Sequence, residues 1–196
     1  MKYNKLIFVL LIYLSSFLNA YSIEPEIFVQ STVNRASTIL SQDLSKEEKI
    51  EKLKIIAEET VDIKGIGFYT LGVARKNLSD TDKKKYSKLF KNYFLKSFSS
   101  RLAEYTNPEI DVQGKKVLNE NYTIVNSLLK GTNERPEIKI DWRIYTKNST
   151  NPLIRDLIIE GLSLARTQKE EFSSIINSND GNIEALIKNL SDFSLK

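Results

Sequence analysis

Apolar residues along this chain follow two different periods, and the switch between them divides it. From Glu26 to Leu40, the residues Val29, Val33, Ala36 and Leu40 recur at three- and four-residue steps, which places them on one helix face. Ser45 to Glu48, "SKEE", reads as a capping box, in which the hydroxyl accepts the N3 amide and the carboxylate reaches back to the N-cap amide. The helix it opens turns Ile50, Leu53, Ile56 and Ala57 inward and leaves Lys and Glu outside. The dense apolar run "VDIKGIGFYTLGVARKNL" predicts a short buried helix from about Ile66 to Ala74. Ser79 and Asp82 then cap a fourth helix, with Tyr86, Leu89, Phe90, Tyr93, Phe94, Phe98, Leu102 and Tyr105 along one side. That aromatic face reads either as core packed on a sheet or, in part, as the wall of a ligand cavity. The opposite face carries Lys83, Lys84, Lys85, Lys88, Lys91 and Lys96, a solvated surface or an attraction for anionic head groups.

Pro108 ends the helical half, and the period becomes two. Four strands are predicted near Glu109–Gln113, Tyr122–Leu129, Glu137–Lys147 and Leu153–Leu162. In the third, Ile138, Ile140, Trp142 and Ile144 share one face, and Lys139, Asp141, Arg143 and Tyr145 share the other. The connections "KGTNERP" and "KNSTNP" are rich in turn residues and suit antiparallel hairpins. Two helices follow, about Ala165–Ser178 and Asn182–Phe193, with Gly181 as the C-cap between them. Helices, a strand meander, then helices predict one α+β domain.

The first 22 residues read as an export leader and stay outside the fold. Lys2 and Lys5 precede an apolar stretch from Leu6 to Leu18, and the small residues Ala20 and Ser22 suit cleavage after Ser22, or after Ala20. The apolar stretch falls short of the roughly 20 residues needed to cross a bilayer, and no cysteine follows to carry a lipid. A mature domain of residues 23–196 is expected to be exported and soluble, held by its core alone in an oxidising compartment because the chain has no cysteine. The leader carries two lysines and no acid, so its removal lowers the net charge from +4 to +2, too balanced for a nucleic-acid binder. With neither His nor Cys there is no Ser-His-Asp triad, no Cys-His pair and no ordinary zinc site. "KGIGFYTLG" lacks the closing lysine of a P-loop and the spacing of a dinucleotide fingerprint. The four Asn-x-Ser/Thr matches, at Asn77, Asn121, Asn148 and Asn189, arise easily in so Asn- and Ser-rich a chain.

The remaining candidate for catalysis is Glu160, in "LIIEGLSLA". A carboxylate near the end of a curved sheet can have a raised pKa and act as a general base, which makes a small isomerase or dehydratase one reading. Asp141 and Asp156 are the nearest acids that could assist it. The plainer reading is a carboxylate facing solvent or paired with Arg143, Arg155 or Arg166. Gly161, inside an expected strand, marks a bulge or a close backbone approach that bends the sheet edge.

Three stretches, "EEKIEKLKIIAEETVDIKGIGFYTLG", "KKYSKLFKNYFLKSFSSRLAEY" and "LIIEGLSLARTQKEEFSSII" with its continuation "DGNIEALIKNL", resemble the MlaC, or toluene-tolerance auxiliary, family of periplasmic phospholipid-binding proteins. Together they cover most of the mature chain, and the last is the most specific. One departure follows "LG", where the family's aromatic or basic pattern reads "VARK" here. The resemblance implies a fold related to the nuclear-transport-factor type, with a curved four-stranded antiparallel sheet and helices around an apolar pocket. The implied ligand is phospholipid, with no other cofactor, no metal and no catalytic residue. The implied partners are an inner-membrane Mla ABC transporter complex and the outer-membrane MlaA lipoprotein, serving outer-membrane lipid asymmetry, with the chain itself a monomer. On this reading Phe68, Leu71, Phe90, Phe94, Phe98, Leu102, Val125, Ile140, Trp142, Leu157, Ile159 and Leu162 wall the pocket, and Glu160 and Gly161 shape its rim.

Overall fold

A computed structural model describes residues 22–133 and 135–195; the leader lies outside the described residues apart from Ser22. The helical half comprises α1 (Pro25–Ser41), α2 (Lys46–Thr60), α3 (Ile63–Thr70), a 3-10 helix (Gly72–Lys76) and α4 (Asp80–Leu102). Five strands follow, β1 (Ile110–Asn119), β2 (Tyr122–Leu129), β3 (Ile138–Tyr145), β4 (Leu153–Ile159) and β5 (Leu162–Ser163), and then α5 (Leu164–Asn177) and α6 (Ile183–Leu195). The sheet is an antiparallel meander in the order β1-β2-β3-β4-β5.

The helix starts form where the side chains supply partners for free amides. The Ser45–Glu48 capping box closes in both directions, at 3.2 and 2.9 Å. Ser79 Oγ accepts the Asp82 amide at 3.1 Å. Asp62 caps α3 by accepting the Gly65 amide at 2.8 Å, so this helix starts before the predicted Ile66. It also stops early: Gly72 enters the left-handed region at φ 55° and the chain tightens into the 3-10 helix. Val29, Val33 and Leu40 of α1 are buried, as are Leu53, Ile56 and Ala57 of α2, on the faces that the spacing marked.

The sheet differs from the expected four strands at both ends. β1 runs to Asn119 instead of ending near Gln113, because β2 pairs with it along its whole length. Its polar residues Gly114, Lys115 and Lys116 hide the alternation, and Val117 and Leu118 remain exposed. The expected fourth strand breaks after Ile159 and returns as the two-residue β5. Glu160 and Gly161 form the turn, with φ of 49° and 82°. Two left-handed residues in succession match the right-handed twist of a tight hairpin. Gly161 is thus a turn residue and not a bulge in a continuous strand. Near its start β4 is bridged by Val61, in parallel with Ile154, so neither portion of this edge is left open.

Helices and sheet share one core. α4 packs closely on α2, α3 and α6, α1 lies against β1, and α5 covers β4 and α3. Gly67 of α3 permits one close approach, since a Cβ there would stand 2.7 Å from a Phe90 ring carbon.

Candidate functional site

One face of the sheet is apolar from strand to strand. Cross-strand partners share a face, and the register aligns Val125, Trp142 and Leu157, then Ser127, Ile140 and Ile159, then Ile110, Leu129 and Ile138. Trp142 brings the one indole donor into this wall, and it is satisfied there: its Nε1 donates to Ser127 Oγ at 2.8 Å, and Ser127 donates to the Ile140 carbonyl at 3.0 Å. Polar partners occupy the other face, where Asn126 donates to Asp141 at 2.8 Å.

In the same core cluster, α4 carries an aromatic ladder at four-residue spacing. Ring centroids lie 5.8 Å apart for Tyr86–Phe90, 6.2 Å for Phe90–Phe94 and 5.3 Å for Phe94–Phe98. The ladder passes from fully buried at Tyr86 and Phe90 to half-buried at Phe94 and Phe98. Beyond the helix, Arg135 of the β2–β3 connection lies over the Tyr105 ring at 5.2 Å.

The anticipated pocket residues divide accordingly. Leu71, Phe90, Val125, Ile140 and Trp142 belong to the buried core, and Phe68, Phe94, Phe98 and Leu157 pack against it half-buried. Leu102, in the last turn of α4, and Ile159, at the end of β4, are half-buried as well. Leu162 departs from the expectation of an interior position. It is 61% exposed, because the reversal at Glu160–Gly161 carries it outward with the turn. Two surface grooves, each of about 780 Å³, lie elsewhere, between α1 and α2 and along α5 beside Tyr69, and none of these pocket residues lines either.

Glu160 is held by backbone and not by an arginine. Its amide donates to the Lys139 carbonyl at 3.0 Å, and its Oε1 accepts the Lys139 amide at 2.5 Å. Its left-handed backbone turns its own carbonyl out of line, and the carboxylate supplies the acceptor instead. The other acids are engaged separately: Asp141 by Asn126, and the buried Asp156 by Ser163 Oγ at 2.6 Å and the Ala165 amide at 3.0 Å, which anchors the start of α5. No two of these three carboxylates share a hydrogen-bond partner.

Arg155, one of the partners weighed for Glu160, pairs instead with Asp62, which the sequence did not single out. Arg155 Nε donates to Asp62 at 2.5 Å, its Nη1 reaches Tyr122 at 3.3 Å, and its guanidinium lies 4.5 Å from the Tyr145 ring. A Cβ on Gly65 would stand 2.7 Å from the guanidinium carbon, so the "KGIG" glycines make room for side chains instead of cradling a phosphate. The Asp-x-x-Gly spacing was the available signal for the cap; nothing local announced its distant partner.

A family model described as MlaC protein matches residues 30–192. Among solved structures, a phospholipid-binding protein from Ralstonia solanacearum, in complex with a phospholipid, superposes with a TM-score of 0.73 at 17% identity, covering 88% of this chain and 98% of that one. At that identity the likeness establishes the shared fold. No curated protein matches the chain.

Proposed function

The chain belongs to the MlaC family, and on that premise we propose that it is a phospholipid carrier whose acyl chains lie between the aromatic ladder of α4 and the apolar face of the sheet. The family supports a binding protein rather than an enzyme. The observation that carries the reading is the single apolar cluster that joins the ladder, from buried Phe90 to half-buried Phe98, with Val125, Trp142 and Leu157 of the sheet. Two acyl tails carry about 30 methylenes, so their exposure to water costs roughly 24 kcal/mol at ~0.8 kcal/mol each. A protein that covers them removes most of that barrier without chemistry, which suits a chain lacking His and Cys. The finer reading is a periplasmic monomer, exported by the cleavable leader, that passes lipid between the outer-membrane MlaA lipoprotein and the inner-membrane Mla ABC transporter complex. The isomerase or dehydratase reading has less support, because Glu160 is committed to the Lys139 backbone.

Native mass spectrometry of the exported protein tests the carrier: co-purifying phospholipid is expected, and protein that is consistently lipid-free and unable to load from liposomes overturns the reading. The wall is tested by Val125→Trp, since Val125 is 0% exposed in the middle of β2. In a close-packed core the added bulk costs on the order of 1–3 kcal/mol or more. If Val125 lines lipid space, the variant melts near the lipid-free wild type and fails to load. Unfolding, or normal loading, removes Val125 from the wall.

A further inference from the structure

We propose that the face formed by the end of α3, the 3-10 helix and α5 docks on the surface of an anionic phospholipid bilayer, an interaction separate from the interior that holds a carried lipid. Val73 is 81% exposed, more than any other large hydrophobic residue among those described, and it stands four residues after the exposed Tyr69. A single exposed valine is ordinary; its surroundings are not. Lys169 of α5 reaches across to place its ammonium 5.4 Å from the centre of the Tyr69 ring. Its path crosses Gly72, where a Cβ would stand 3.1 Å from Lys169 Cε. The left-handed glycine therefore turns the chain and clears the way for the lysine. Arg166, Lys169 and Ser173 line the open groove of about 780 Å³ next to Tyr69, and the 3-10 helix adds Arg75 and Lys76.

Neither Arg166 nor Lys169 has a carboxylate within ion-pair distance among the described residues. Glu170 is the one acid lining the groove. The groove between α1 and α2 has similar volume and exposes Ile27 and Ile55, but there Arg35 is paired with Glu59, Lys52 is the one lining cation outside an ion pair, and no aromatic ring lines it. Cations beside an interfacial tyrosine and a protruding aliphatic side chain suit a layer of lipid phosphates over acyl chains. The phosphates attract Arg166 and Lys169, the Tyr69 ring sits at head-group depth, and Val73 enters below it.

Flotation of the exported protein with vesicles of phosphatidylglycerol in phosphatidylcholine, against pure phosphatidylcholine, provides the test. Binding to the anionic vesicles is expected, and it weakens as salt shortens the screening length. Arg166→Gln and Lys169→Gln each lower the partition coefficient about fivefold. Val73→Asp lowers it as well, and Glu170→Gln raises it. Lipid content by native mass spectrometry stays unchanged in all four, so failure of docking and failure of carriage are separable. Circular dichroism checks the fold of Val73→Asp; if it is lost, the two cation variants decide. Equal binding to both vesicle types, or variants without effect, overturns the proposal. So does inorganic phosphate perturbing Lys169 without any vesicle binding, because that result assigns a free-ion site.

Discussion

Glu160 and Gly161 show how one dipeptide can carry a structural task that looks chemical. With no atom within 4 Å of a Cβ placed on Gly161, Gly161→Ala meets backbone strain alone, at φ 82°, and is expected to cost about 1–2 kcal/mol in denaturant unfolding. Glu160→Gln keeps an oxygen acceptor for the Lys139 amide and leaves both stability and lipid loading near wild type. A general base would instead lose its function on that change. Tyr86 offers a second test. Its hydroxyl lies 2.9 Å from Thr70 Oγ1 and 3.2 Å from the Gly67 carbonyl, and burial pushes its pKa far above the usual value near 10. The unfolded chain releases this proton as pH passes about 10 while the folded protein retains it, so the unfolded state binds fewer protons and stability falls with further rise in pH. Tyr93, also raised by burial, adds to the effect. Tyr86→Phe should be less stable at neutral pH by about 0.5–1.5 kcal/mol, the loss of its own hydrogen bonds, since Thr70 Oγ1 still donates to the Gly67 carbonyl. Its melting temperature should decline less steeply above pH 10.

At the scale of elements, the β4–β5–α5 junction depends on Asp156. Its carboxylate accepts from Ser163, the N-cap of α5, and from the Ala165 amide, and it is nearly inaccessible to water. A negative charge at a helix N-terminus is favourable, and here it also fixes where the hairpin ends. Asp156→Ala leaves a half-buried hydroxyl and a buried amide short of partners, with an expected loss of about 1–3 kcal/mol. Asp156→Asn, which can still accept the amide, should fall between. Limited proteolysis is expected to cut the alanine variant first between residues 159 and 166; a pattern identical to wild type would show that the hairpin holds without this anchor. Periodicity marked the elements themselves because helix and strand faces are local properties. The junction was hidden because apolar residues on both sides of Glu160 and Gly161, from Leu157 to Leu164, mask a reversal that two positive φ angles create.

For the whole molecule, a ligand bound only by the folded state raises its stability by mass action. If the interior holds lipid, delipidated protein melts lower than loaded protein, and the gap widens with added lipid. A saturation at about one hundred times the dissociation constant corresponds to ~2.7 kcal/mol. In Val125→Trp that gap closes, since the site is filled from within. A wild-type melting temperature indifferent to lipid would argue against interior binding, whatever adheres to the surface.

The sequence by itself determined the helical and strand faces, the Ser45 and Ser79 caps, the inward set of Ile140, Trp142 and Ile144, and the limits that missing His and Cys place on chemistry. These follow from side-chain period and from groups present or absent, which need no knowledge of distant neighbours. Tertiary structure alone decided that Asp62 meets Arg155, 93 positions apart, that Phe90 lies on Gly67, and that Lys169 crosses Gly72 to Tyr69. It also decided that Leu162 turns outward. Each of these depends on how separate elements approach in space, and neither periodicity nor local spacing records that approach.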